Sequence, residues 1–577
     1  MQICSPDSRD RSQASIIVAM IVLLMSVGSA EARQLPVSLA DSVEAAAGER
    51  IVMPEVNVAT LEAEDKVRDS AFTPGPVRFA APIEAAYSTE NSGIWQRLDD
   101  GSRLWRLQIH SPQALSLNLG LTTFDLPQGA RLWIYDTAGG QIAGPYSRRD
   151  RNRSGQLWLP IILGDEVVLE LHLPVDSPAA RVEVGWINHG YRFFGEAEKK
   201  QGSCNIDVIC PEVDPYRDLV RAVARYTISG FTLCTGQLVN NTAGDFRPLF
   251  LTAQHCGINP ANASTLVVYW NYESPTCGQL SGGSLADNQG GATYLAGDFS
   301  TDFTLVELDR MPDSQSNVYY AGWDAGGATP QSTVVIHHPS GDEKAAAFEG
   351  DPLVDADIGR GGTTHWEVTA YDLGTTEPGS SGSCIFDQTN QGCVGWLTGG
   401  TAACTVPDGF DVFGKLSLAW TGGGTDDMRL SNWLDPVGGG TTTFIEGADP
   451  DGTGDDDGNG GCVPDATTLC LDGRRFEVTV GWRDFAGATG SGVVSPGGED
   501  YWGVFWFFSP MNAEVLVKVL DGCDFNDHFW VFAAAATDVE YSLTVTDTST
   551  GISQTYGNEL GTAAPAVVDT SAFATCP

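Results

Sequence analysis

Alternation of apolar and polar positions recurs along the first third of the chain, as in RLWRLQIH (103–110), ARLWIYD (130–136) and VVLELHL (167–173). A period of two puts every second side chain on one face of a strand, so these runs predict half-buried β-strands. Turn-rich pieces separate them, and residues 33 to about 200 read as a β-rich segment of their own. From Gln201 to about Ala448 the apolar runs are shorter and more continuous: STLVVYW (264–270), FTLVEL (303–308) and STVVIHH (332–338), set among Gly, Ser and Thr loops. That pattern predicts an all-β barrel or sandwich. A last set, RRFEVTVGW, YWGVFWFF, HFWVF and EYSLTVTD, predicts a small β-sandwich over 462–577 whose aromatics fill a core.

The length of 577 residues allows three or four domains. At the N-terminus, Arg9 and Arg11 precede an apolar run from Ala14 to Val27 and then small residues ending near Ala30. This reads as a signal peptide over 1–30, because the run is shorter than a membrane span requires. Twelve of the thirteen cysteines begin only at Cys204, an even number that an exported chain pairs as disulfides. Their spacings do not supply four plausible zinc ligands, so neither metal nor cofactor is expected. A net charge of −42 argues against nucleic acid or an anionic membrane as partner. The stretch ADPDGTGDDDGNGG (448–461) reads as an acidic, flexible linker, since it lacks the closing glutamate of an EF-hand loop.

Candidate chemistry lies in the middle segment. LFLTAQHCG puts His255 after an apolar strand, STDFTLVELD places Asp302 at the start of another, and TEPGSSGSC holds Ser381 in a glycine-flanked turn. Singly these are weak signals. Together they supply a hydroxyl nucleophile, an imidazole to move its proton and a carboxylate to fix the imidazole tautomer. The order His, Asp, Ser is that of the chymotrypsin-type β-barrels. The N–H groups of Gly379 and Ser381 would form the oxyanion hole.

Residues 201 to about 447 resemble the lysyl endopeptidases, a secreted bacterial branch of the trypsin-like serine proteases. The resemblance runs through GSCNIDVICPE, CTGQLVNNTAGD, FLTAQHCG, VVYWNYESPTC, DFTLVEL, AGWD, IHHP, GGTTH, TEPGSSGS, TGGGTDDMRLSNWLDP and FIEG. It implies a double β-barrel with the active site between barrels, and carries His255, Asp302 and Ser381 over as the triad. It also implies cystines Cys204 with Cys404, Cys210 with Cys277, and Cys234 with Cys256. Cys384 and Cys393 are additional to the family pattern and most simply pair with each other. Pairing among Cys462, Cys470, Cys523 and Cys576 stays open.

Specificity is read separately from catalysis. Six residues before the nucleophile, where common trypsin-like enzymes carry aspartate, this chain has Thr375. The family takes its pocket acid from the strand matching GFDVFGKL, which gives Asp411; Thr398, Gly399 and Gly400 are expected to line the cleft, with Thr398 replacing a family histidine. His337 and His338 are taken as structural. Only six lysines stand against twenty-six arginines, yet Lys199 and Lys200 adjoin just before Gln201. Cleavage between Lys200 and Gln201 would release 31–200 as a propeptide and leave 201–447 as the protease domain. The expectation is a monomeric, secreted endopeptidase acting on protein or peptide substrates after lysine. The alternatives are arginine or mixed specificity, and an inactive protease-fold binding protein.

Overall fold

The structure is a computed structural model that describes residues 35–40, 48–69, 75–194, 201–450, 462, 464, 466–472, 475–495, 501–510 and 512–576, without the side chain of residue 524. Residues 35–40 belong to a separate N-terminal unit and form a short 3-10 turn, Val37–Leu39. Everything from Ala47 onward packs as one unit.

The alternating runs of the first third form a two-layer β-sandwich. One sheet runs Glu49–Val52, Arg103–His110, Glu166–Leu173, Arg131–Asp136, Ile142–Tyr146, with Ile94–Arg97 also on Arg103–His110. The other centres on Ser116–Asp125 and Arg181–Gly190. Leu107, Leu119, Leu132, Leu169, Leu171 and Ile187 meet between them with no exposed surface, as period-two patterning requires. One helix, Val58–Asp69, is not part of either layer. It is anchored through Asp65, a buried carboxylate that accepts from Arg78 at 2.9 Å and from the Tyr191 hydroxyl at 2.5 Å, with Arg192 at 3.4 Å. A carboxylate this deep needs such matched donors.

Residues 201–450 form two curled antiparallel sheets. The first contains Val223–Ile228, Thr232–Leu238, Leu249–Ala253, Val267–Tyr269, Asn288–Gly290, Ala292–Asp298 and Phe303–Leu308. The second is ten-stranded and includes Thr333–His337, Ala345–Glu349, His365–Val368, Cys384–Asp387, Cys393–Gly400 and Asp411–Lys415. One core runs through both, with Phe250, Trp270, Trp323, Trp396 and Leu434 buried, and a smaller one around Trp366, Ile385 and Phe413 backs the second sheet. These are the two barrels of a chymotrypsin-like protease domain. Residues 462–576 form two five-stranded sheets around Phe476, Phe505, Val517, Val531 and Leu543, tied by the disulfides Cys462–Cys470 and Cys523–Cys576.

The strand Val223–Ile228 is buried at every position, although strand period alone would leave one face wet. On its outer side Arg225 lies over the rings of Phe194 at 4.7 Å, Tyr269 at 4.7 Å and Tyr272 at 4.4 Å, so the N-terminal region supplies part of the cover. Val77–Arg78 adds to the first barrel as an extra antiparallel strand, pairing Val77 with Leu233 and Arg78 with Thr232. Val77, Phe79, Trp158, Ile161 and Phe194 share a core with Leu233, Val267 and Tyr269. Polar bonds frame that contact: Asn118 Nδ2 to Gly230 O at 2.8 Å, Asn152 Nδ2 to Ser264 O at 2.8 Å, and Ile161 N to the Tyr269 hydroxyl at 3.0 Å.

Candidate active site

His255 follows Leu249–Ala253 on a short 3-10 turn, Gln254–Cys256. Asp302 sits in the tight link between Ala292–Asp298 and Phe303–Leu308, with φ of 62°. Its carbonyl accepts from Gln254 N at 2.8 Å, its Oδ1 from His255 N at 3.0 Å, and its Oδ2 is 2.7 Å from His255 Nδ1. Three contacts thus lock carboxylate and imidazole in register, with Nδ1 carrying the proton and Nε2 facing away as acceptor. Nε2 is buried and has no hydrogen-bond partner among the described residues.

Ser381 is held by the strand Thr232–Leu238. Thr235 donates its N–H to Ser381 O and its hydroxyl to Gly379 O, each at 2.9 Å. Cys234 in the same strand is cystine-linked to Cys256, the neighbour of His255. One strand therefore ties nucleophile turn and base together. The turn also packs flat on the strand that leads to His255: a Cβ at Gly382, where φ is 87°, would meet Thr252 Oγ1 at 2.2 Å and Thr235 O at 2.4 Å, which only glycine avoids. Ser380 N and Gly382 N bond to Glu377 O and Leu397 O, whereas the N–H groups of Gly379 and Ser381 have no acceptor among the described residues. Two free donors flanking a serine are what a developing oxyanion needs.

Electrostatics support the pair. Burial pushes the Asp302 carboxyl up, but the charge and hydrogen bond of His255, the Arg360 guanidinium and the Thr398 hydroxyl outweigh it and hold it below the usual carboxylate range. Thr398, expected to line the cleft, is instead fully buried behind Asp302, with its hydroxyl 3.1 Å from His365 Nε2. His337 and His338 are buried too. Burial pushes His337 down to about 3, and its Nδ1 lies 2.8 Å from Ser380 Oγ, bracing the nucleophile turn.

Asp411 opens the strand paired to Cys393–Gly400, opposite Gly400. That glycine is required, since a Cβ there would stand 2.2 Å from Asp411 Oδ1. Asp411 Oδ2 accepts from the hydroxyls of Thr376 at 2.5 Å and Tyr371 at 2.9 Å. No cation pairs with it among the described residues. Burial therefore pushes its pKa up to about 6 against those hydroxyl bonds and one from the Ala402 backbone. A solvent-starved carboxylate with only neutral donors gains from a cation brought beside it.

The disulfides Cys204–Cys404, Cys210–Cys277 and Cys384–Cys393 complete the domain, the last just beyond the nucleophile turn. Lys199 and Lys200 lie outside the described residues, as does most of 448–461. Gln201 is buried, its N–H 3.1 Å from Asp342 Oδ2. Sequence reasoning missed Arg360, His365, Tyr371, Thr376 and the Thr235 clamp. GGTTH, which holds His365, was part of the family likeness, but nothing in it said what the histidine touches.

The chemistry this assembly supports is acyl transfer from a peptide, and the class it defines is serine endopeptidase. Comparison with known proteins narrows that class, for the chain belongs to the lysyl endopeptidase family. The family's C-terminal domain profile matches residues 199–414 and its N-terminal domain profile residues 53–186. A lysyl endopeptidase of Pseudomonas aeruginosa is 30% identical over 349 residues, 54% of this chain and 72% of that one. Among solved structures, the HtrA-type protease AlgW with a tripeptide is 15% identical with a TM-score of 0.25, over 37% of this chain and 62% of that chain, so less than two thirds of its length is spanned. HL collagenase is 15% identical with a TM-score of 0.25, over 36% of this chain and 92% of that one.

Asp411→Asn tests the pocket in two ways. Its kcat/KM on lysyl substrates is expected to fall more than tenfold, because losing one partner of a desolvated ion pair costs about 2–5 kcal/mol. Stability should move oppositely. A carboxyl whose folded pKa is raised binds its proton more tightly folded than unfolded, so its contribution falls as pH rises from about 4 through 6. In a Ser381→Ala background, denaturant unfolding should find the Asn variant more stable than its parent at pH 8, with the advantage vanishing toward pH 4. Unchanged kinetics together with no pH-dependent gain would remove Asp411 from the pocket.

Proposed function

We propose that this chain is a secreted endopeptidase that cuts on the C-terminal side of lysine and is made as a self-processing precursor. Ser381 Oγ attacks the scissile carbonyl while His255 Nε2 takes its proton and returns it to the leaving amine. Asp302 holds the imidazole tautomer and balances the imidazolium, and the N–H groups of Gly379 and Ser381 receive the oxyanion.

The observation that carries lysine specificity is the environment of Asp411. Its Oδ2 already accepts two hydroxyl bonds. A guanidinium fork is best matched by both oxygens of a carboxylate, whereas an ammonium is a compact point charge that can be satisfied by one. The remaining oxygen, Oδ1, therefore favours the lysyl ammonium.

The precursor reading assigns 1–30 as signal peptide, 31–200 as propeptide, 201–447 as protease domain, 448–461 as linker and 462–577 as a C-terminal domain of unassigned role. Cleavage between Lys200 and Gln201 would convert the amide that faces Asp342 into an ammonium facing a carboxylate. The propeptide strand Val77–Arg78 pairs with Thr232–Leu233 of the first barrel, and Gly75 just before it lies near the His255 backbone, a Cβ there falling 3.9 Å from His255 O. A segment bound this way suits a propeptide that stays with the enzyme during export. Secretion agrees with six disulfides, and among the described residues no helix is long and apolar enough to cross a membrane. The enzyme is read as a monomer acting on proteins and peptides.

N-terminal sequencing of the secreted protein beside its Ser381→Ala variant, in a host without other lysine-cutting proteases, tests processing. Wild type should begin at Gln201 and the variant should retain residues before it; both beginning at Gln201 would assign the cut to another enzyme. Matched peptides differing only in Lys or Arg at the cleaved position test the pocket. At least a tenfold preference for lysine is expected, and parity would establish mixed specificity.

A further inference from the structure

Asp302 has a second charged neighbour. Arg360 lies on the loop between Val354–Ala356 and His365–Val368, and its Nη1 is 3.1 Å from Asp302 Oδ1. Its side chain is only 10% exposed. The same Nη1 donates to Phe299 O at 3.0 Å, and the guanidinium lies over the Phe299 ring at 4.5 Å. The guanidinium thus takes the oxygen that also accepts from His255 N, leaving Oδ2 for the imidazole.

We propose that Arg360 is a positioning residue that orients the Asp302 carboxylate and offsets part of its charge, so that His255 stays neutral and able to accept a proton down to lower pH. The proposal rests on the reading of His255, Asp302 and Ser381 as the triad. The physics is one of sign. An unpaired carboxylate at 2.7 Å favours imidazolium, and a fixed cation on the carboxylate's far oxygen weakens that pull.

The other charged or titratable groups around the pair do not substitute for it. His365 reaches Asp302 only through Thr398 and, pushed down to about 4 chiefly by burial, is neutral across the working range. Lys415 is ion-paired with Asp355 and lies over the Trp366 ring at 4.0 Å. Tyr226 is buried, and burial holds its hydroxyl protonated. Cys256 is in a disulfide. Arg360 alone among these puts a cation on the carboxylate.

The test is the pH profile of kcat/KM, on whichever peptide the processed enzyme cuts best, for wild type, Arg360→Lys, Arg360→Gln and Arg360→Ala. Gln keeps a donor for Phe299 O without charge, and Lys keeps charge without the planar fork. The acidic limb should move up by about one pH unit in Gln and Ala and stay within about 0.3 unit of wild type in Lys. KM should change less than twofold, and the alkaline plateau should stay within about threefold. A merely structural staple predicts the reverse: activity lost evenly at all pH with the limb unmoved, and Gln no worse than Lys. If Ala does not fold, the Gln and Lys pair decides. Covalent labelling of Ser381 by a fluorophosphonate in wild type separates the two levels: no labelling overturns the triad reading, whereas labelling with an unmoved limb in Gln overturns the role of Arg360.

Discussion

A carboxylate removed entirely from water must be surrounded by donors that are themselves held in place, and Asp302 imposes that demand on the protease domain. Its neighbours come from distant parts of the chain: His255 after one strand, Thr398 inside another and Arg360 on a loop. His255 and Asp302 belong to one barrel and Thr398 and Arg360 to the other, so the cluster is closed across the two. Breaking any member leaves a buried charge short of a partner, which is far costlier than losing a surface ion pair.

The nucleophile turn obeys the same economy on the backbone. Its Gly379 and Ser381 carbonyls both point back to Thr235, and two of its N–H groups bond within the fold. The N–H groups of Gly379 and Ser381 have no acceptor among the described residues. Glycine at 382 allows the turn to lie on the strand beneath it, and His337, neutral through burial, braces Ser380. Asp411 differs in kind from Asp302. Both are buried, but Asp302 has the Arg360 guanidinium and the His255 imidazole beside it and is held below the usual carboxylate range, whereas Asp411 has only neutral donors and is pushed up.

The N-terminal region shapes the protease more than its separate core suggests. By pairing Val77–Arg78 with Thr232–Leu233 and packing on Leu233, Val267 and Tyr269, it buries apolar surface that the isolated barrel would expose. Hydrophobic burial on that scale favours association strongly.

Much of this was legible before folding was considered. Period-two runs such as VVLELHL and EYSLTVTD mark the strands of the first and last regions, and the sandwich of the last, because alternation has one solution when a sheet has one wet face. His255, Asp302 and Ser381 stood out through their order and their local turns, and Asp411 through likeness to a family. The runs in 201–450 predict strands, but VARYTI does not reveal that both its faces are buried, since Arg225 is covered by rings as far apart in the chain as Phe194 and Tyr272. Thr398 is expected in the cleft because it stands where the family has a histidine before the glycine pair; it lies instead in a register irregularity between Leu397 and Gly399, with its hydroxyl between His365 and Asp302. Arg360 carried no signal at all, lying among glycines in a loop. Sequence by itself determined which segments are strands, which cysteines are available to pair and which residue types can do the chemistry, because these follow from local pattern and intrinsic reactivity. Only the tertiary structure decided which charges meet, because pairing a buried carboxylate depends on side chains brought together from strands and loops far apart in the chain.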